Sequence, residues 1–279
     1  MAEGIIVNYS FSNKPSGGYR DYHHKMTRYI EMLADQANSL DETAKAQTFR
    51  VIEAPPEESV FCYHDTNSSR AEIDAITAKL KGQKLAIIGL GGTGSYVLDA
   101  VAKTPVDEIH IYDGDDFAQH NAFRAPGAPS LELLRTPPKK ANYFAELYSN
   151  MRRGIVPHPE FLTAANVTQL AGVDFAFICV DDGPAKQIAV AYLEATGKSF
   201  IDVGMGINLV DSSLLGTLRC TLSTPGERGI LKQRVSFAAG EDDAYVTNIQ
   251  IAALNMMNAA LAVIRWKKLA GFYQDLNGE

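Results

Sequence analysis

The sequence is poor in cysteine and has no excess of positive charge, and each shortage argues against a class of protein. Three cysteines are scattered over 279 residues, and no two of them form a Cys-x-x-Cys pair. A disulfide framework and a thiolate zinc site are therefore disfavoured, and no zinc is predicted. The net charge of −7 argues against general affinity for nucleic acid or for an anionic membrane surface.

A long hydrophobic run is also missing. The most apolar stretch covers residues 249–264, and Gln250, Asn255 and Asn258 interrupt it. It is too short and too polar to span a bilayer, and the first residues lack the basic start and apolar segment of a signal peptide. Hydrophobic residues make up 46% and charged residues 21% of the chain, which is ordinary for a globular protein. We expect a folded cytoplasmic protein about two domains long.

The first 80 residues differ from the rest of the chain in their pattern of apolar and turn-forming residues. Apolar residues recur at helical spacing over residues 22–37, and short strands are predicted at 49–52 and 60–63. Ser68 or Ser69 is a suitable N-cap for a helix that runs to about Leu80. The pattern predicts a small N-terminal α+β accessory unit over residues 1–80.

From residue 81 onward, strands and helices alternate. The order predicts an α/β domain over 81–279 with a mostly parallel, doubly wound, Rossmann-like sheet. A hairpin strand at 214–222 and a long C-terminal helix from about 245 to 269 complete it. The predicted parallel strands are short apolar runs at 85–88, 109–112, 155–156, 175–180 and 200–203.

A glycine-rich turn follows the first of these strands and reads Gly89-Leu90-Gly91-Gly92-Thr93-Gly94. Gly89, Gly91 and Gly94 satisfy the pattern GxGxxG, and Gly92 is an extra glycine. Such a turn lets a phosphate approach the N–H groups at a helix N-terminus, and it also permits tight strand–helix packing. Asp113, which follows the second strand, is placed to accept hydrogen bonds from ribose hydroxyls. Together they predict an adenine-nucleotide site for NAD, FAD or ATP.

The residues after Asp113 narrow this choice. They follow the pattern D-x-D-x(5)-N-x(2)-R, which ends at Arg124 and includes Asp115 and Asn121. An NAD site needs no arginine here, whereas a triphosphate site uses a permanent cation with a planar fork of donors. Asn121 is a neutral donor suited to the same phosphates. This stretch favours ATP.

Two charged residues further along the chain add to the same site. Lys140, at the start of a predicted helix, is a second candidate cation for the phosphates. Asp181 follows a buried strand and therefore lies at the carboxyl edge of the sheet, where ligands bind in such folds. A carboxylate beside a nucleotide indicates a Mg²⁺ ligand.

In their order and spacing, these motifs resemble the adenylation domain of the ThiF, MoeB and ubiquitin-activating-enzyme family. The likeness covers about residues 84–222. The motifs that carry it are Gly89 to Gly94, Asp113 to Arg124, Lys139-Lys140-Ala141 and Cys179-Val180-Asp181-Asp182. The stretches 11–22 and 120–127 further resemble bacterial ThiF-like proteins associated with ubiquitin-like modification or antiviral operons.

The resemblance implies a reaction and a role for each residue. A family member activates the C-terminal carboxylate of a ubiquitin-like or sulfur-carrier protein as an acyl-adenylate and releases pyrophosphate. By this resemblance Asp113 holds the ribose of ATP, and Asp181 holds Mg²⁺. Asn121, Arg124 and Lys140 contact the triphosphate.

The resemblance also implies partners. Family members are usually dimers in which an N-terminal arginine reaches the partner's ATP, so that we expect a homodimer with Arg70 in this role. A ubiquitin-conjugating-like enzyme is a further expected partner. The chain departs from the family pattern at Ala125, where glutamine is usual, and at Asp182, where asparagine is usual. Cys220 is a weak candidate for a thioester-forming cysteine.

Two other functions remain open at this point. An NAD-dependent oxidoreductase would leave Asn121, Arg124, Lys140 and Asp181 without a role. A catalytically inactive nucleotide-binding partner of an activating heterodimer should have lost the cationic residues, and here they are present.

Overall fold

The computed structural model describes residues 10, 12–47, 49–229, 231, 235 and 249–276. Contacts between Cα atoms divide the chain into two compact units, Met1–Val51 and Ile52–Glu279. The described part of the first unit contains one long helix, α1 (Tyr22–Leu40). It begins after Asp21, whose carboxylate accepts a hydrogen bond from the His24 N–H at 2.6 Å, as expected of an N-cap. No residue of α1 is buried.

The second unit is built on a six-stranded sheet with the order β3-β2-β1-β4-β5-β6. The strands are β1 (Lys84–Ile88), β2 (Glu108–Tyr112), β3 (Ile155–His158), β4 (Phe175–Ile178), β5 (Ser199–Val210) and β6 (Ser213–Ser223). Its described helices are α2 (Thr66–Arg70), α3 (Asp74–Thr77), α4 (Gly92–Ala102), α5 (Leu131–Arg135), α6 (Lys140–Ser149), α7 (Gly183–Ala195) and α8 (Ala252–Leu269). Three 3₁₀ turns cover Ala78–Leu80, Gln119–Phe123 and Val167–Gly172.

The central strands are apolar throughout because helices cover both faces of the sheet. Ile87 of β1 lies opposite Ile111 of β2 and Phe177 of β4, and all three side chains are buried. The first five strands run parallel, and β6 returns antiparallel to β5 as a hairpin. The predicted mostly parallel α/β sheet is confirmed. The strand order reverses beside β1, which is where doubly wound sheets bind ligands.

Two hydrophobic cores hold the helices against the sheet. One lies beneath α4, α6 and α8, and the other lies beneath α7 on the opposite face. Trp266 anchors α8, because its ring packs edge-on against Phe177 at 6.1 Å and its indole N–H donates to Gln83 Oε1 at 3.1 Å. None of the helices in the described part of the chain has the length and hydropathy that a bilayer crossing requires.

The strands predicted at 49–52 and 60–63 are wrong. Only single bridges form there, between Glu53 and Tyr63 and between Phe61 and Arg152. Pro55 and Pro56 supply no N–H groups, and the guanidinium of Arg153 instead binds the carbonyls of this segment.

Other element bounds also differ from prediction. The helix expected from Ser68 to Leu80 is broken into α2, α3 and a 3₁₀ turn, and Glu72 at the break has a left-handed φ of 57°. The last helix begins at Ala252, and residues 245–248 lie outside the described part. A domain boundary near residue 80 stays a prediction.

Candidate active site

The glycine turn lies between β1 and α4, at the carboxyl edge of the sheet. Gly89 has a φ of +91°, and a Cβ added there would lie 2.7 Å from the Val180 side chain. A Cβ at Gly94 would collide with the Gly89 carbonyl, and one at Gly92 with Asn255. These three glycines are therefore required by packing. Gly91 is different, since it caps α4 and a Cβ there would meet nothing within 4 Å. The turn is open for a ligand at Gly91.

Asp113 fixes this turn. Its carboxylate accepts the Leu90 N–H at 2.7 Å and the Asp115 N–H at 2.9 Å. The side chain is only 7% exposed. The carboxylate expected to bind ribose thus already joins the glycine turn to the end of β2, and only its remaining lone pairs can serve a ligand.

Asp113, Asp115 and Lys140 form what we call the open cluster. Lys140 Nζ lies 2.7 Å from Asp115 Oδ2 and 3.5 Å from Asp113 Oδ1. The lysine side chain is buried, whereas that of Asp115 is 57% exposed. Backbone pairing between Lys140 N and Asp115 O at 2.9 Å holds the start of α6 in this position. The cluster therefore places one desolvated cation at the edge of the site.

Arg124 lies beside this cluster, at the end of a 3₁₀ turn. Asn121 is buried in that turn, and its Oδ1 accepts the Ala118 N–H at 2.9 Å, so its side-chain oxygen stabilises the turn. The Nε of Arg124 is buried and has no hydrogen-bond partner among the described residues. Burial lowers the pKa of Arg124, and the charges of Asp181 and Asp115 oppose this. The structure thus brings Arg124, Asp115 and Asp181 together.

Asp181 is exposed and follows β4 at the same edge. A cleft of about 50 Å³ lies between it and the glycine turn. Gln250 also lines this cleft, and its buried Oε1 has no hydrogen-bond partner among the described residues. Unsatisfied buried polar atoms are uncommon, and they indicate a missing ligand or water.

Sequence reasoning missed Asn255 of α8. Its Oδ1 accepts a hydrogen bond from the Thr93 hydroxyl at 3.0 Å, and its Nδ2 lies 3.5 Å from the Arg124 carbonyl. This fully buried amide therefore connects the glycine turn, the arginine turn and the last helix. The only signal in the sequence is a polar residue inside an apolar helix.

A second ionic group was also missed. Asp202 of β5 is fully buried and pairs with Lys186 Nζ at 3.1 Å and with Arg219 Nη2 at 2.7 Å. We call these three residues the closed cluster. Burial raises the pKa of Asp202, while its two cations oppose this. No motif in the sequence brings these residues together, since they are far apart along the chain.

The thiols are not suited to nucleophilic attack, and the expected contact of Arg70 with the ATP of a partner subunit stays a prediction. Burial raises the pKa of the Cys220 thiol to about 11, and it also raises the pKa of Cys179. Neither thiol is therefore activated for attack at neutral pH. Arg70 is exposed at the end of α2, and the neighbouring residues Asn67 and Ser68 line a cavity with Thr104, just beyond the C-terminus of α4. This is the amino edge of the sheet, opposite the glycine turn.

Comparisons with known proteins identify the family. The ThiF family model matches residues 64–264, and a domain of unknown function, DUF6791, matches residues 1–66. The chain belongs to the ThiF family. The two family matches meet at residues 64–66, whereas the compact units meet at Val51 and Ile52.

Curated relatives and solved structures add detail. The tRNA threonylcarbamoyladenosine dehydratase of Escherichia coli (strain K12) is 28% identical over 145 residues, which cover 46% of this chain and 52% of the relative. The enzyme of the same name from Haemophilus influenzae is 26% identical over 137 residues, covering 46% of this chain and 49% of the relative. This ThiF-family chain thus spans about half the length of the curated relatives it matches.

Solved structures share the fold. E. coli MccB with MccA-N7isoASN superposes with a TM-score of 0.58 at 17% identity, over 76% of this chain and 67% of MccB. PaaA gives 0.56 at 15% identity, over 91% of this chain and 76% of PaaA. The E. coli dehydratase TcdA gives 0.51 at 15% identity, over 74% of this chain and 92% of TcdA.

Proposed function

We propose that this chain is an ATP-dependent adenylyltransferase that activates the C-terminal carboxylate of a ubiquitin-like or sulfur-carrier protein. The observation that carries the proposal is the convergence of four separate motifs at the carboxyl edge. The four motifs are the glycine turn, the segment Asp113–Arg124, Lys140 at the start of α6 and Asp181 after β4, and they meet beside β1. An NAD-dependent oxidoreductase would need only the first of them and an acid at Asp113.

The residues present fit ATP. Gly91 leaves room for a phosphate at the N-terminus of α4, and Arg124 has a buried donor without a partner among the described residues. In this proposal Arg124 and Lys140 bind phosphate oxygens, and Asp113 accepts from ribose. Asp115 holds Lys140 in place, and Asn121 stabilises the turn that presents Arg124.

Mg²⁺ fits a more limited set of ligands. The described residues include no group of three acidic, histidine or cysteine side chains that would hold a metal alone. Mg²⁺ bound to a nucleotide needs only one or two protein carboxylates, since phosphates and water supply the other ligands. Asp181 is that carboxylate in this proposal. The ion would neutralise phosphate charge when bound.

The reaction needs positioning and charge more than proton transfer. A carboxylate oxygen of the carrier protein bonds to the α-phosphorus, the bond from that phosphorus to the bridging oxygen breaks, and pyrophosphate leaves. A carboxylate is already ionised at pH 7, so that no general base is required. Arg124 and Lys140 are fixed cations, and each should lower the barrier by about 2–4 kcal/mol.

The acceptor of the acyl group lies outside this chain in our proposal. Cys179 and Cys220 are protonated at neutral pH, so that a sulfur donor, an amine or the cysteine of a conjugating-like enzyme takes the acyl group. A homodimer in which Arg70 reaches the ATP of the partner is part of the same proposal. Arg70 is exposed and is available for such a contact.

Solved structures of similar proteins support use of an adenine nucleotide and leave the substrate of this chain open. MccB has been crystallised with MccA and the ATP analogue AMPCPP, and TcdA with AMP. The dehydratases act on a modified tRNA nucleoside, as their names state. The net charge of −7 favours a protein carrier over tRNA for this chain.

ATP–pyrophosphate exchange tests the proposal. Purified protein, Mg²⁺ and labelled pyrophosphate are incubated with candidate carriers that end in glycine, and in parallel with tRNA. We expect exchange that depends on the carrier and is lost in Asp181→Ala. The matched control is Asp182→Asn, which retains an N-cap for α7 and should exchange normally.

Three outcomes would contradict it. Exchange that depends on tRNA alone would show that the substrate is tRNA and not a carrier protein. ATP binding without exchange for any carrier would indicate a catalytically inactive partner subunit. Micromolar binding of NADH without binding of ATP would indicate an oxidoreductase.

A further inference from the structure

A second cavity lies at the amino edge of the sheet, away from the glycine turn. It has a volume of about 430 Å³, which is within the range of small-molecule sites. We call it the amino-edge cavity, and the lining residues used below are Phe61, Asp65, Thr77, Thr104, Lys267 and Phe272. Lys267 lies 12 residues beyond Asn255 on α8, which is about 18 Å along the helix. The cavity is therefore distinct from the proposed nucleotide site.

The walls of the amino-edge cavity are held by hydrogen bonds. Arg153 donates to the carbonyl of Phe61 at 2.7 Å, and the buried Arg152 donates to the carbonyl of Thr104 at 3.0 Å. On the opposite wall, the Phe272 N–H donates to the Lys267 carbonyl at 2.8 Å, which closes the end of α8. These bonds fix the backbone on both sides, so that the cavity is preformed.

One cation in this cavity has no acidic partner in the described part of the chain. Lys267 Nζ lies 4.5 Å from the centre of the Phe272 ring and 5.9 Å from that of Tyr273. No ion pair joins it to a carboxylate of the described residues, whereas the adjacent Lys268 pairs with Asp275 at 3.2 Å. Burial lowers the pKa of Lys267. An anion would therefore gain from binding here, because it would restore the solvation that the ammonium has lost.

The carboxylate that lines the cavity, Asp65, already has hydrogen-bond partners within its own segment. Asp65 Oδ1 accepts the N–H groups of Asn67 and Ser68 at 3.0 Å each, and Asp65 Oδ2 accepts the Ser68 hydroxyl at 2.5 Å. The Ser68 hydroxyl also lies 3.1 Å from that of Thr77. The carboxylate therefore caps α2 and does not neutralise Lys267. The aromatic rings of Phe61 and Phe272 supply an apolar surface beside the charge.

We propose that the amino-edge cavity binds a small organic anion with an aromatic body, whose negative group pairs with Lys267 and whose ring packs against Phe61 and Phe272. The volume, the unpaired ammonium and the aromatic walls each match one part of such a ligand. This binding is independent of adenylation.

A pair of fluorescent probes tests both parts of the ligand. 8-Anilinonaphthalene-1-sulfonate carries a sulfonate on an aromatic body, and N-phenyl-1-naphthylamine has the same body without the charge. Each is titrated into the full chain in the presence of saturating ATP and Mg²⁺, which occupy the nucleotide site. We expect saturable binding of the sulfonate at one site, and weaker binding of the neutral probe.

Variants locate the site. Lys267→Met should weaken sulfonate binding at least tenfold and leave the neutral probe within twofold, and Lys267→Arg should restore most of the loss. Lys268→Met is the matched control on the same helix and should change neither probe. Thr77→Trp, which fills the cavity, should weaken both. Circular dichroism checks that each variant is folded.

Three results would overturn the inference. The first is sulfonate binding that Lys267→Met leaves unchanged. The second is an equal loss in Lys268→Met. The third is sulfonate binding that is seen only when ATP is left out, which would place the probe at the glycine turn. Because the readout is probe binding, these results are independent of whether the chain catalyses exchange.

Discussion

Two ionic clusters lie at the carboxyl edge of this sheet, on either side of β1, and they have opposite compositions. The open cluster contains two carboxylates and one ammonium, and its Asp115 side chain is 57% exposed. The closed cluster contains two cations and one carboxylate, and Asp202 at its centre has no exposed surface. The central carboxylate of the closed cluster is sealed from water, whereas Asp115 of the open cluster is accessible to water and to a ligand.

This difference indicates that the closed cluster stabilises the fold, whereas the open cluster takes part in the proposed reaction. In the closed cluster the desolvation of Asp202 is balanced by Lys186 and Arg219, so that the group is stable only as a unit. It joins α7, β5 and β6 beneath the edge where Asp181 lies. In the open cluster a buried lysine faces a partly exposed partner, and its partners can be exchanged for a ligand. We therefore expect changes in the closed cluster to affect folding, and changes in and around the open cluster to affect catalysis.

The largest effect on stability is expected from Asp202→Asn. Removing the carboxylate charge leaves the buried Lys186 ammonium without its counter-charge, and breaking a buried pair in this way costs about 3–5 kcal/mol. The free energy of unfolding is measured by urea denaturation of the full chain. Asp211→Asn is the control, because this exposed turn residue has a φ of 52°, which asparagine tolerates well. Equal stability of the two variants would remove the distinction between the clusters.

Of the two phosphate-binding cations, Arg124 should show the larger effect on the reaction when it is replaced by alanine. Losing a fixed cation at developing phosphate charge costs about 10²–10³-fold in rate. We expect that loss in carrier-dependent ATP–pyrophosphate exchange, together with an unfolding free energy close to that of the native chain. Arg135→Ala removes an exposed arginine that pairs with Glu132 and serves as the control. A large drop in the free energy of unfolding of Arg124→Ala would show that this arginine stabilises the fold instead of the reaction.

Lys140→Met tests whether the open cluster exchanges partners with ATP. Its ammonium makes a charge-assisted hydrogen bond, and such a bond contributes about 1.5–3 kcal/mol, or roughly 10- to 100-fold in rate. The exchange rate and the KM for ATP are measured with Lys81→Met, an exposed lysine before β1, as the control. The proposal predicts a raised KM. An unchanged KM with lower stability would mean that Lys140 only neutralises Asp113 and Asp115.

The sequence predicted the sheet, and it predicted that Asp113, Asp115 and Lys140 lie at one site, because both predictions depend on local patterns. The ion pairs among these three residues were not predicted. Apolar runs such as 85–88 identify buried strands wherever they occur, and the ends of those strands meet at one edge. The fixed spacing from Asp113 to Arg124 likewise identifies a loop. The structure brings Arg124, Lys140 and Asp181 to that edge, while their roles stay predictions.

The closed cluster and Asn255 could not be predicted, because they depend on tertiary contacts between distant elements. Asp202 and Arg219 meet across the β5–β6 hairpin, and Lys186 reaches them from α7. The strand predictions at 49–52 and 60–63 failed for the opposite reason, since here a local pattern was present but the contacts did not follow it. Their residues have strand propensity, but the prolines between them supply no N–H groups and the Arg153 side chain binds the carbonyls instead.

The smallest effect is expected from Cys220→Ser, and it tests whether the closed cluster activates a thiol. Burial is the largest cause of the raised pKa of Cys220, about 11; the Asp202 charge raises it further, and Arg265 opposes this. A raised folded-state pKa keeps the thiol neutral at pH 7 and favours folding below the unfolded pKa. That contribution is lost as the pH rises from about 9 to about 11. Because the protonated thiol takes no part in the proposed reaction, Cys220→Ser should retain exchange within about threefold. In a Cys62→Ser, Cys179→Ser background, the rate of alkylation by iodoacetamide should be low at pH 7 and rise toward pH 11. Rapid alkylation at pH 7, together with a carrier thioester that Cys220→Ser abolishes, would show instead that Cys220 is an activated nucleophile.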